Sequence, residues 1–167
     1  MSDRFAPYGA LAEALLHAVE DGGDGSHDVA HLHRVWLNAR AIAAEAGGDG
    51  EILAAAVLLH DGVHVEKSSP LRAQASRLAA ARAREVLAGL GWGAARVDAV
   101  AHAIAAHSFS AGIAPESLEA RVLQDADRLD AIGAIGVARC FYTAGRMGSA
   151  LYDADDPRAE HRALDDR

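Results

Sequence analysis

The sequence has very little cysteine: Cys140 is the only one in 167 residues. A single cysteine cannot form a disulfide within the chain, and this composition fits a reducing compartment. No basic-then-apolar leader opens the chain, and no apolar run approaches the roughly 18 residues that a membrane helix needs. The sequence therefore predicts a cytoplasmic protein that does not interact with a membrane.

Aromatic residues are also scarce at 5%, and basic residues are outnumbered, with 16 Lys and Arg against 24 Asp and Glu. The formal net charge of −8 disfavours a long nucleic acid as a partner, because its phosphates would be repelled. A small anionic ligand remains compatible, since a bound cation can reverse the local sign of charge. The sequence contains no glycine-rich phosphate loop of the P-loop or Rossmann type.

What the chain has in abundance is alanine, and its apolar residues recur at helical spacing. Its length predicts a single domain over residues 1–167, with a core at about 26–145 and a charged tail at 153–167. The fold class is predicted to be all-α. Six helices are expected at about residues 10–19, 29–46, 51–60, 69–88, 94–106 and 118–138.

The third predicted helix is apolar on nearly every side, which indicates a central, buried helix. It ends in His60 and Asp61, followed by Gly62. A carboxylate at the end of a buried helix needs a cation or strong donors, because its desolvation is otherwise costly. Alternatively, His60 interacts with the helix dipole and Asp61 simply begins a turn.

Three aspartates fall close together in residues 123–130, within a predicted helix that is otherwise mostly apolar or small. Aspartate is unfavourable inside a helix, so this cluster indicates either a solvent-exposed face or a functional role. A solvated polar face accounts for Arg128 and Asp130. Asp127 fits that explanation badly, because Leu123 and Ala134 predict that it lies on the inner face of one continuous helix.

Histidines cluster at the start of the second predicted helix. His27 and His31 are four residues apart and share a face, a spacing that is common in metal sites but weak evidence alone. His33 points elsewhere and is expected at the surface.

Taken together, these segments resemble the HD-domain superfamily of metal-dependent phosphohydrolases. The matching features are a histidine before Leu-x-Arg-Val (His31), the adjacent pair His60 and Asp61, and the aspartate of Ala-Asp-Arg-Leu (Asp127). Further segments look like a small bacterial branch, the YedJ-like HD proteins; they are residues 66–70, 102–110, 124–136 and 161–166. The resemblance implies a helical bundle of about six to seven helices.

By position, the resemblance implies that His31, His60, Asp61 and Asp127 bind one divalent metal ion. Two imidazoles and two carboxylates suit Mn, Mg, Co, Ni or Fe, and the absence of cysteine ligands argues against structural zinc. Such an ion would lower the pKa of a bound water and polarise a phosphate. HD enzymes with two metal ions usually add a histidine on the next helix; residues 72–77 contain none.

Other site residues are less constrained. Asp61, Lys67 and His64 form the predicted catalytic set, with Lys67 neutralising a phosphate oxygen and His64, or alternatively Glu66, as general acid. His27, Lys67 and His107 are the predicted substrate-binding residues. Each of these side chains has an ordinary alternative: a solvated lysine, or a structural histidine. Asp125 and Asp130 are expected behind the ligands or at the surface.

The predicted function is hydrolysis of a phosphate ester or anhydride, with a nucleotide as the expected small phosphorylated substrate. Both a nucleotidase and a nucleoside-triphosphate pyrophosphohydrolase fit this description. The alternatives are an HD-fold di-iron oxygenase and a nucleotide sensor with little turnover. The small and apolar residues of 132–141 are compatible with an oligomer. YedJ-like proteins continue in a further helix beyond the segment that residues 161–166 match.

Overall fold

The computed structural model of the protein describes residues 2–17, 28–65, 69 and 71–161, and all regular structure in this part of the chain is helical. It confirms the all-α prediction. The seven α-helices are α1 (Gly9–Leu16), α2 (Val29–Ala46), α3 (Gly50–Leu59), α4 (Ala75–Gly89), α5 (Ala94–His107), α6 (Leu118–Asp130) and α7 (Gly133–Met147). Short 3-10 helices span Ser2–Phe5, Arg72–Gln74 and Phe109–Ala111.

Helix α3 is the centre of the bundle, as its apolar sequence predicts. Every residue from Ile52 to Leu59 is buried, and α1, α2, α4, α5 and α6 all pack against this helix. Asp49 caps its N-terminus by accepting hydrogen bonds from the backbone N–H groups of Glu51 and Ile52. Because α3 is enclosed on all sides, its C-terminal end is fixed relative to these five neighbouring helices.

Local sequence signals set the bounds of the helices around α3. Asp28 caps α2 by accepting from the backbone N–H of His31 at 3.0 Å, and α2 stops at Gly47, which has a φ of +86°. Ser117 caps α6 in the same way through the backbone N–H of Ala120. Ser69 accepts from the N–H of Leu71, but a 3-10 turn intervenes before α4 begins at Ala75.

The continuous sixth helix predicted at about 118–138 is wrong. Helix α6 ends at Asp130, and α7 begins at Gly133, whose φ of +68° is a left-handed conformation that favours glycine. Ala134 is therefore exposed on the next helix and cannot mark an inner face around Asp127. Gly136 lies so close to the backbone carbonyl of Ala131 that a Cβ there would collide with it.

The C-terminal part of the chain is much more exposed than the bundle. Gly136 is the one buried residue of α7, and Leu151 and Tyr152 after it are largely exposed. Residues 153–161 form no helix and are exposed except for the half-buried Asp156. In the described ranges, no helix is both long and apolar enough to cross a membrane.

Candidate metal centre

Four helices bring histidine and aspartate side chains together at one end of the bundle. His31 lies in the first turn of α2, His60 and Asp61 follow α3, and Asp127 lies on α6; His107 is the last residue of α5. His31 and His60 are almost completely buried, whereas the side chains of Asp61 and Asp127 keep about a quarter of their surface exposed. The two carboxylates thus face the solvent side of a buried imidazole pair.

Side-chain hydrogen bonds fix α6, and with it Asp127, against two other helices. The Asn38 side-chain amide donates to the backbone carbonyl of Ala126 at 3.1 Å, which ties α2 to α6. Gln124 donates to the carbonyl of Ala106 at 2.8 Å and ties α6 to α5. Both bonds lie within three residues of Asp127, so they hold its backbone in place beside the imidazoles.

The side chains predicted as metal ligands lie close together. One ligand atom each from His31, His60 and Asp127 lies within 4.8 Å of the other two, and Asp61 forms such a group with His60 and His107. Nε2 of His31 lies 3.3 Å from Nε2 of His60, 3.4 Å from Oδ2 of Asp61 and 3.5 Å from Oδ1 of Asp127. Nε2 of His60 lies 3.4 Å and 3.8 Å from the same two carboxylate oxygens. A cation about 2.1 Å from each ligand would separate neighbouring ligands by about 3.0 Å in octahedral and about 3.4 Å in tetrahedral geometry.

The hydrogen bonds of the histidines assign the same tautomer to each ring. Nδ1 of His31 donates to Asp130 at 2.8 Å, Nδ1 of His60 to the carbonyl of Val57 at 2.8 Å, and Nδ1 of His107 to the carbonyl of Ile104 at 2.6 Å. In the neutral rings, Nε2 therefore carries the lone pair. Two Nε2 lone pairs facing each other at 3.3 Å beside two carboxylates form a donor set that fits a divalent cation.

The carboxylates also control protonation of the imidazoles when no metal is bound. Burial lowers the pKa of His60, but the charges of Asp61 and Asp127 outweigh burial and raise that pKa to about 9. Burial raises the pKa of Asp127, but its hydrogen bond to His60 and the charge on that ring lower it to about 2. Burial and the neighbouring His60 lower the pKa of His107. A proton and a metal ion thus compete for the same atoms.

For Asp130, the sequence allows two positions: behind the predicted ligands or at the surface. The structure places it behind the ligands: it is 5% exposed and accepts from Nδ1 of His31. Arg34 donates to both of its oxygens, at 2.6 and 3.0 Å, and Arg139 of α7 donates to it at 2.7 Å. The three-residue spacing from Asp127 puts both carboxylates on one face of α6, a signal already in the sequence.

An open cleft leads from the solvent to the two exposed carboxylates. It has a volume of about 300 Å³. Its lining comprises Asp61, Arg72, His107, Ser108, Phe109, Asp127, Arg128, Ala131 and Arg139. Carboxylates therefore lie beside three arginines, none of which the sequence reasoning selected. These arginines come from three separate elements, so their convergence has no pattern along the chain.

The remaining predicted site residues have different outcomes. His107 lies beside the ligand cluster: its ring centroid is 5.0 Å from that of His60, and it forms a second close group with His60 and Asp61. His64 is half-buried in the segment after α3 and is not in the cleft lining. His27, Glu66 and Lys67 lie outside the described residues. Asp125 is exposed on α6.

Comparison with known proteins agrees with this geometry. The family model described as the HD domain matches residues 29–132. The uncharacterized protein YpgQ of Bacillus subtilis is 35% identical over 139 residues, which cover 81% of this chain and 65% of YpgQ. The chain thus spans slightly less than two thirds of the length of this relative.

Solved structures of similar proteins have the same fold. Bacillus subtilis YpgQ in complex with ADP matches with a TM-score of 0.66 and 35% identity, over 86% of this chain and 73% of that one. A Lactobacillus plantarum protein matches with a TM-score of 0.70 and 32% identity, over 92% and 68%. A predicted HD superfamily hydrolase from an uncultured Thermotogales bacterium matches with a TM-score of 0.60 and 33% identity, over 80% and 74%.

Proposed function

This chain belongs to the HD-domain family, and from that premise we propose that it is a metal-dependent phosphohydrolase whose substrate is a nucleotide. The observation that carries the proposal is the convergence of four metal-binding atoms, from His31, His60, Asp61 and Asp127, at the base of an open cleft. The ADP complex of YpgQ supports a nucleotide as the substrate class.

We propose these four side chains as the ligands of one divalent ion, chosen from Mn, Mg, Co, Ni and Fe. Two imidazole nitrogens and two carboxylate oxygens suit such ions, and no cysteine contributes. When bound, the ion would supply a water of lowered pKa and polarise the phosphate. The imidazoles of His31 and His60 are buried, whereas the carboxylates of Asp61 and Asp127 are about a quarter exposed, so an ion held by all four would be reachable by a phosphate in the cleft.

Other side chains have proposed roles around the substrate. His107 lines the cleft, and because its Nδ1 donates to Ile104, its Nε2 can act as an acceptor. It is proposed to accept a proton from a water or a substrate hydroxyl. Lys67 is proposed to neutralise a phosphate oxygen and His27 to contact the substrate. His64 is proposed as the general acid, with Glu66 as the alternative. Point variants of each would test these roles separately.

The first experiment measures hydrolysis by the metal-free protein after separate addition of Mn²⁺, Mg²⁺, Co²⁺ or Ni²⁺. Phosphate and pyrophosphate release are followed across a panel of nucleoside mono-, di- and triphosphates. We expect activity that requires the metal ion and that Asp61→Ala abolishes, since this variant loses a ligand. Asp125→Ala is the matched control, because Asp125 is an exposed aspartate outside the cluster.

The product distinguishes the two kinds of phosphohydrolase: phosphate indicates a nucleotidase and pyrophosphate a pyrophosphohydrolase. Full activity in Asp61→Ala, or no release with any metal ion from folded protein, would contradict the proposed function.

The di-iron oxygenase alternative has one observation in its favour. His60, Asp61 and His107 form a second group close enough to hold a metal ion, and it shares His60 with the group of His31, His60 and Asp127. Elemental analysis of the purified protein separates the two functions. Two iron ions per chain, together with oxygen consumption, would favour the oxygenase, whereas one exchangeable divalent ion favours the hydrolase.

A further inference from the structure

The arginines of the cleft differ in whether another side chain already neutralises them. Arg139 is 20% exposed and donates to Asp130 at 2.7 Å, so its charge is balanced within the protein. Arg72 and Arg128 also line the cleft, yet neither forms an ion pair within the described part of the chain. Among the described residues, the cleft therefore contains two guanidinium groups that no acidic side chain pairs with.

Arg72 is the stronger candidate for binding an anion, because its side chain is half-buried whereas Arg128 is exposed. A partly desolvated guanidinium favours an anionic partner, and its planar donors match two oxygens of a phosphate. Asp61 and Asp127 line the same cleft, but a divalent ion between them would balance their two negative charges. Among the residues described as lining the cleft, no other acidic side chain would then remain for Arg72 and Arg128, so their partner would be an anionic ligand.

The cleft also contains an aromatic side chain that is largely exposed to solvent. Phe109 lines it, and 71% of its surface is exposed to solvent. The short helix Phe109–Ala111 packs against the short helix Arg72–Gln74, so the aromatic ring and the Arg72 guanidinium belong to neighbouring segments. An exposed aromatic face is a sequence-tolerant stacking surface for a nucleobase.

We propose that Arg72, Arg128 and Phe109 form the recognition wall of the cleft: the two arginines bind phosphate oxygens of a nucleotide, and Phe109 stacks on its base. This inference rests on the proposed function, because it assumes that the reacting phosphate lies at the metal centre. It assigns recognition to described residues that the sequence motifs did not indicate. It also divides the ligand into two parts that can be tested separately.

The experiment uses two probes that lack a hydrolysable phosphoanhydride: α,β-methylene ADP, and methylenediphosphonate, which has no base. Calorimetry measures their binding to the full Mn²⁺-loaded chain. Arg72→Gln and Arg128→Gln are each expected to weaken both probes at least about tenfold, since each loses a charge-assisted contact. Phe109→Ala is expected to weaken the ADP analogue about tenfold and to leave methylenediphosphonate within about twofold.

Each variant has a matched control outside the cleft. Arg77→Gln on α4 and Arg121→Gln on α6 remove exposed arginines, and Phe141→Ala removes an aromatic ring that is 60% exposed on α7. The controls should bind both probes like the wild type. All six variants should keep the wild-type Mn²⁺ affinity, which shows that the fold and the metal centre are intact.

The outcomes separate this inference from the proposed function. Unchanged binding in Arg72→Gln and Arg128→Gln, or equal weakening of both probes by Phe109→Ala, overturns the recognition wall even if the wild type hydrolyses nucleotides. Failure of the wild type to bind either probe overturns it as well. The expected variant pattern in a protein that hydrolyses no nucleotide supports the recognition wall and removes the proposed hydrolysis.

Discussion

At Asp130, one carboxylate accepts hydrogen bonds from His31, Arg34 and Arg139, which lie on α2 and α7. The contact with His31 selects the tautomer that leaves Nε2 available for a metal ion. Burial raises the pKa of Asp130, but its contacts with His31 and Arg34 hold that pKa well below its usual range. Asp130 therefore both holds α7 against α6, through Arg139, and orients His31 in the candidate metal centre.

Asp130→Asn should weaken metal binding about 10- to 100-fold, the usual cost of losing a partner behind a metal-ligating histidine. The amide has nearly the same shape but cannot balance the charges of Arg34 and Arg139. Calorimetric titration of the metal-free protein with Mn²⁺ measures the effect, and Asp125→Asn on the exposed face of α6 is the control. An unchanged Mn²⁺ affinity in folded Asp130→Asn would show that His31 needs no such support.

At the scale of elements, the break between α6 and α7 brings Arg139 of α7 into the site. Helix α7 could not carry Arg139 to Asp130 if the chain continued straight through Ala131 and Ile132. Gly133 supplies the left-handed backbone at the turn, and Gly136 allows α7 to approach the carbonyl of Ala131. Periodicity missed this break because apolar residues continue at helical spacing across it, at Leu129, Ile132 and Ile135.

Gly136→Ala should lower the free energy of unfolding by about 1–3 kcal/mol, because its Cβ would meet the backbone of Ala131 and force α7 to shift. Gly145→Ala on the same helix is the matched control, since nothing lies within 4 Å of the added Cβ. That change should stabilise the protein by about 0.5–1 kcal/mol through helix propensity. Urea denaturation measures both, and equal effects of the two variants would contradict the close approach.

At the scale of the whole molecule, the buried helix α3 connects the core directly to the candidate metal centre, because His60 follows its last residue, Leu59. We therefore expect folding and metal binding to be linked, because the proposed ligands come from α2, α6 and the end of α3, which meet only in the folded chain. Exposed apolar residues on α7, Ile135 and Phe141 among them, are compatible with the predicted oligomer, which stays a prediction.

This linkage predicts that Mn²⁺ raises the melting temperature of the wild-type protein. At a metal concentration 100 times its dissociation constant, the stabilisation should be about 2.7 kcal/mol. His60→Asn should lose most of this gain, whereas His161→Asn, at an exposed position in the tail, should keep it. Thermal denaturation with and without the ion measures the difference, and an equal gain in both variants would place the metal ion elsewhere.

The sequence by itself determined the helical class and the central position of α3, because these depend on periodicity and on burial of an all-apolar helix. It also predicted the ligand set, from an ordered motif that runs from His31 to Asp127. Tertiary structure decided the rest. Arg72, Arg128 and Arg139 share a cleft only because a short turn, α6 and α7 converge there. Asp130 became part of the site because α6 packs against α2, which brings it to His31 and Arg34. Such contacts between distant segments have no local period, so only the packing of the whole chain reveals them.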